Sequence, residues 1–153
     1  MSDPTIDAAR DILGESLDEL RNAVAGCSAD ELNRRPMGDD TNPLAVIVAH
    51  AVHSTRSWLS LATQSPPPER DRPAEFRVVA DDPDSFVSWL DGISAECRAL
   101  LDGGVVYDPG VTATPTWTTD VPHEPVTAAW ALLHALEHLG EHVGHAQLTR
   151  QAL

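Results

Sequence analysis

Residues 125–153 read PVTAAWALLHALEHLGEHVGHAQLTRQAL, and the periodicity of this stretch decides the fold. Pro125 suits a first helical turn and no proline follows, so one helix is expected here. It carries four of the chain's seven histidines: His134, His138, His142 and His145. At about 100° per residue, His138, His142 and His145 lie about 40°, 80° and 20° from His134. All four share a stripe roughly 80° wide. Leu132, Leu136, Leu139 and Val143 occupy the other side. With one face apolar and another lined by imidazoles, both faces are expected to meet protein. One helical histidine is ordinarily a packed or solvated residue. Four on one stripe would repel if protonated, and a metal relieves that because neutral imidazole is a ligand.

Working outward from this helix, three more long amphipathic segments precede it. Asp3-Pro4 caps the first, with Ile6, Ala9, Ile12 or Leu13, Leu17, Leu20 and Val24 at helical spacing and Gly26 as the stop. Ser28-Ala-Asp-Glu31 has the form of a capping box and starts a short turn through Leu32. Asn42-Pro43 begins the second long helix, which runs to about Gln64 and is stopped by Pro66-Pro67-Pro68. His50 sits mid-helix, near Ile47, Ser54 and Leu61, while His53 projects to a different side. Phe76–Ala80 is a short extended candidate. Asp82-Pro83 caps a third helix through about Leu101, with Phe86, Leu90, Ile93, Cys97 and Leu100 as its stripe. Residues 105–124 form a long connection of the kind that serves as a lid or rim. Trp117 within it is a candidate for covering a cavity and contacting a bound cofactor; anchoring the loop is the alternative. Four amphipathic segments without a convincing sheet predict an all-α four-helix bundle, one domain over 1–153. The connections 65–81 and 102–124 are long enough for crossovers.

Composition narrows the partners. The chain has 153 residues, 42% of them hydrophobic, which suits a globular domain with a real core. Its 24 acidic against 10 basic residues give a formal charge of -14, which repels nucleic acid and anionic lipid. No apolar run is long enough to span a bilayer, and the start MSDPTIDAARDILGE lacks the features of a signal peptide. Cys27 and Cys97 have no CxxC spacing, so packed thiols in a reducing cytoplasm are expected.

Two overlapping H-x-x-E-H strings, His134–His138 and His138–His142, also mark inverted zinc peptidases. Those need a further acidic ligand well downstream, and little chain follows His142. A di-iron bundle needs paired Glu-x-x-His motifs, but Gly140 and Gly144 stand where the histidines would be. The remaining arrangement is one metal held by His138 and His142, one turn apart, with His50 from a facing helix. Three neutral ligands leave coordination positions open, as in catalytic sites. Zinc fits best by ligand type, with nickel and iron as alternatives. His134 and His145, on the same stripe, are candidates for moving a proton or orienting a ligand, or for plain structural hydrogen bonding. Glu137 and Glu141 are candidate acceptors for imidazole N–H groups. The last helix is apolar away from its histidines, and Gly140 and Gly144 permit close approach, which suggests a homodimer.

Two blocks resemble the DinB-like superfamily, in particular its actinobacterial mycothiol-dependent branch. Residues 42–59, NPLAVIVAHAVHSTRSWL, place His50 and Trp58 in that family's H-x7-W spacing. Residues 127–151 carry its W-x3-H-x2-E pattern and H-x2-H-A ending. The resemblance implies a four-helix bundle with long crossovers, often dimeric, whose metal site maps onto His50, His138 and His142. Some mycothiol-dependent relatives have Glu in place of His138, so the site here is more positive. The implied activity is metal-dependent transfer or isomerisation with a low-molecular-weight thiol such as mycothiol, acting on small electrophiles. Arg150 is then a candidate contact for an anionic thiol cofactor, although a cation near a helix C-terminus is expected anyway. A small metallohydrolase using metal-bound hydroxide and a non-catalytic metal-binding stress protein are the alternatives.

Overall fold

The computed structural model describes residues 3–102, 104, 105, 107–117 and 122–153. Local capping chemistry starts most of its helices. Asp3 accepts from the Thr5 amide at 2.8 Å and opens α1, Pro4–Val24. Ser28 and Glu31 close a reciprocal capping box around α2, Ala29–Asn33. Helix α3, Leu44–Ala62, has no side-chain cap: Pro43 occupies the cap position that Asn42 was expected to fill. It is buried on nearly every side, with Leu44 through Val52 all out of water. That is the pattern of a helix enclosed by its neighbours. Asp71 caps the short α4, Arg72–Glu75, and Asp82 caps α5, Pro83–Ala99.

The last helix starts later than its proline suggests. α6 spans Ala128–Gln151, and the Thr127 hydroxyl accepts from the Trp130 amide at 3.1 Å. The β-branched pair Val126–Thr127 forms β2 instead, antiparallel to β1, Thr112–Ala113. This two-residue ladder is the only sheet among the described residues. The extended segment expected at Phe76–Ala80 has no strand partner. The Asn33 side chain satisfies both backbone groups of Ala80 in its place, at 2.9 and 3.0 Å.

The four long helices make the bundle. α3 packs most extensively on α6, and each of these also has one further long neighbour: α5 beside α3, α1 beside α6. α1 and α5 close the square. The connection 63–82 therefore joins adjacent helices, and is not the crossover that its length allows. The crossovers are α1 to α3, through α2, and α5 to α6, through 100–127. Leu13, Leu17, Leu20, Leu59, Leu90, Leu132 and Leu139 fill the centre with almost no exposure. No helix is long and apolar enough to cross a membrane. Cys27 and Cys97 are free and buried, and burial pushes the Cys97 thiol up to about 12, leaving it an inert packing group.

Candidate metal centre

The α3–α6 contact sets the histidine stripe of α6 against α3. His50, His138 and His142 converge, each offering one nitrogen within 4.8 Å of the others. Ring centroids are 5.3 Å apart for His50–His138, 5.0 Å for His50–His142 and 4.5 Å for His138–His142. Nε2 of His138 and Nε2 of His142 lie 3.3 Å apart. Two imidazole nitrogens at metal–nitrogen distances of about 2.05 Å around a tetrahedral ion would be separated by about 3.3 Å. The geometry therefore fits a shared cation. Burial, followed by neighbouring imidazoles, holds His138 and His142 down at about 4. At neutral pH both rings are uncharged, the form that binds metal. Their Nδ1 atoms are buried without a hydrogen-bond partner among the described residues.

His50 is held differently. Its Nδ1 lies 2.8 Å from Glu75 Oε2. Arg70 grips the same carboxylate twice, Nε to Oε1 at 2.7 Å and Nη2 to Oε2 at 3.1 Å. The side chains of Arg70 and Glu75 are each 3% exposed. Burial pushes the Glu75 carboxyl up, but the hydrogen bonds from His50 and Arg70 outweigh it and keep its pKa below the usual carboxylate value. Sequence reasoning looked for such an acceptor at Glu137 and Glu141. Glu137 instead sits 3.3 Å from His134, and Glu141 stands exposed on the outer part of α6. Nothing in the string RDRPAEF separates Glu75 from exposed Glu69 except Asp71 and Pro73, which announce the single helical turn that aims it.

The two flanking histidines lie on opposite sides of the triad. His145, exposed, has its ring 5.5 Å from that of His142. It lines a cleft of about 330 Å³ that opens at His50 and His142 and is walled by Met37, Ile47, Phe76 and Leu148, with Asp40 and Asn42 at one side. None of the described part of 105–124, the expected lid or rim, lines this cleft; Met37, Asp40, Thr41 and Asn42 line it instead. His134 lies toward the other end, 5.6 Å from His138, stacked on Trp130 at 4.6 Å and edge-on to Trp58 at 4.8 Å. Trp117 packs against Trp58 at 4.7 Å, with the Arg70 guanidinium 5.4 Å above its ring. It thus anchors its loop to the bundle beside the residues that hold His50. His53 is away from the triad, against Trp89 at 5.6 Å.

Arg150 lies apart from the histidine triad. Eight residues past His142 the helix has turned by about 80°. Its guanidinium donates to Cys27 Sγ and borders a groove with Glu19 and Asn22 near α1. A contact with a thiol cofactor from Arg150 would be made about 12 Å along α6 from His142.

The fold is shared with a solved structure titled as the conserved protein of a locus from Enterococcus faecalis. The TM-score is 0.74 at 17% identity, covering 99% of this chain and 98% of that one. At that identity the likeness speaks to the fold alone. No curated protein matches the chain. The family model described as mycothiol-S-transferase matches residues 8–153.

Proposed function

The chain belongs to the mycothiol S-transferase family, of DinB-like type, and from that premise we propose that it joins a low-molecular-weight thiol of the mycothiol kind to small electrophiles, or isomerises them with that thiol. The observation that carries this reading is the convergence of His50, His138 and His142 beside an apolar cleft. His50, His138 and His142 would hold a divalent metal, zinc by ligand type with nickel and iron as alternatives, which would supply Lewis acidity favouring a thiolate at neutral pH. The protein's own contributions are distinct. Met37, Ile47, Phe76 and Leu148 offer an apolar wall to the electrophile and exclude water from it. To His145, at the same cleft, we assign the acceptance of the thiol proton as the thiolate forms, before the sulfur–carbon bond is made. In a displacement the leaving group departs with the bond electrons, and that proton can follow it. His134, wedged between Trp58 and Trp130, serves better to orient His138 than to exchange protons.

A cytoplasmic setting and a homodimer belong to the same reading. Two free, buried thiols support the first. An exposed strip of α6, discussed below, supports the second. The deciding assay incubates metal-loaded protein with an electrophile, with and without mycothiol or a surrogate thiol. Conjugate that requires both protein and thiol is expected. Ester or amide hydrolysis without thiol, and no conjugate with any thiol, would give the site to the metallohydrolase alternative. Metal uptake with neither reaction would leave a binding protein.

A further inference from the structure

Of the three histidines, one alone has a partner for its second nitrogen among the described residues. His138 and His142 leave Nδ1 buried and unpaired among the described residues, whereas His50 Nδ1 meets Glu75 at 2.8 Å. Glu75 in turn has no freedom of its own. Arg70 binds both of its oxygens from a side chain 3% exposed, and Trp117 covers that guanidinium at 5.4 Å. A carboxylate only accepts, and a guanidinium only donates. The proton between Glu75 and His50 therefore sits on the imidazole, at Nδ1.

We propose that Glu75 and Arg70 are positioning residues for the triad: Arg70 fixes the Glu75 carboxylate, which accepts from His50 Nδ1–H and so leaves His50 Nε2 as the nitrogen free to face His138 and His142. The assignment rests on the reading of the triad as a metal site. A buried carboxylate behind a ligating imidazole fixes ring orientation and raises ligand basicity. The charge balance is local. One carboxylate lies behind the triad and neutralises Arg70, so the triad faces no bare guanidinium. Replacing the carboxylate with an amide leaves one oxygen and one NH₂ for two donors. Either His50 or Arg70 then confronts a donor.

The test uses the full chain and two readouts. The first is the His50 tautomer in metal-free protein, by long-range proton–nitrogen correlation at a pH well above the ordinary imidazole value. The second is cobalt(II) affinity by optical titration. The parent chain is expected to show His50 protonated at Nδ1. In E75Q that preference is expected to disappear, and cobalt affinity to fall by about 10- to 100-fold. Circular dichroism should be unchanged. R70K keeps the charge but loses the two-pronged grip, and should move both readouts in the same direction by less; it carries the test should E75Q not fold. E69Q, at an exposed carboxylate nearby, should move neither. An unchanged His50 tautomer in E75Q overturns the proposal, and so does a changed tautomer with unchanged cobalt affinity. If the parent chain takes up no cobalt, the metal reading falls, while the tautomer still decides whether Glu75 and Arg70 set His50.

Discussion

His138 and His142 carry a pH signature that follows from their burial. Their pKa values in the folded chain are about 4. The ordinary imidazole value is about 6.5. As pH falls, the unfolded chain takes up protons at these positions first, so acid favours unfolding. Above about pH 6.5 neither state binds the protons and the pair has no effect. Between there and about 4 the metal-free protein should lose stability steadily. Glu75, with a lowered pKa, pulls in the same direction at still lower pH. Urea midpoints of metal-free protein across this range should fall with acid, and the fall should be shallower in H142A. A flat profile would mean that the imidazoles are not desolvated as placed. H138A/H142A protein should also lose its bound metal by elemental analysis; full retention would remove the triad from the metal reading. The triad itself was legible in the sequence because i, i+4 spacing on one helix fixes two of its members without tertiary knowledge. His50 followed from its mid-helix position and the resemblance. Glu75 and Arg70 were not legible: they act through a one-turn helix whose placement depends on packing, and no periodicity marks them.

At the scale of the element, the end of α3 offers a clean test of local backbone preference. The Ser65 amide donates to Ser60 at 2.9 Å and the Gln64 amide to Leu61 at 3.3 Å. These are the two bonds of a Schellman motif. Gln64 holds its left-handed position with φ 54. That site favours glycine, since a Cβ is penalised in this region by about 1 kcal/mol or more. Gln64→Gly is therefore expected to raise stability by up to about 1 kcal/mol, read as a higher thermal midpoint; a lower midpoint would show that the Gln64 side chain contributes more than its backbone costs. The same local chemistry explains which boundaries could be read in advance. Asp3-Pro4, Ser28 with Glu31, and Asp82-Pro83 act within a turn of chain, and each starts the helix it announces. Pro125 misled because a longer-range partner sets that start, and Asn42 because its own neighbour does. β1 draws Val126–Thr127 into a ladder, and Pro43 takes the cap position of α3. Phe76–Ala80 had strand-like composition but no neighbouring strand to pair with.

For the whole molecule, the open matter is which surface a second copy would cover. The apolar side of α6 that suggested a dimer is largely spent inside the bundle: Leu132, Leu139 and Val143 are buried against the other helices. What remains lies farther round the helix. Trp130 is 47% exposed, Leu133 64% and Leu148 59%. Between them Gly140 and Gly144 would meet nothing within 4 Å if they carried a Cβ. Small residues framed by large apolar ones allow two helices to approach closely, and in a two-fold dimer the same strip would meet itself. The formal charge of -14 opposes that association, so screening by salt should favour it. Sedimentation equilibrium is therefore expected to give a dimer whose dissociation constant falls as salt rises. Leu133→Glu should give a monomer with unchanged helicity, because the substitution puts a charge on the strip and touches none of the bundle core. Trp130 and Leu148 border His134 and the cleft, but Leu133 lies about 140° and 180° round α6 from His138 and His142, so this monomer should keep its metal. A parent chain that stays monomeric at every concentration and salt would end the dimer. A dimer that survives Leu133→Glu would move the interface off α6.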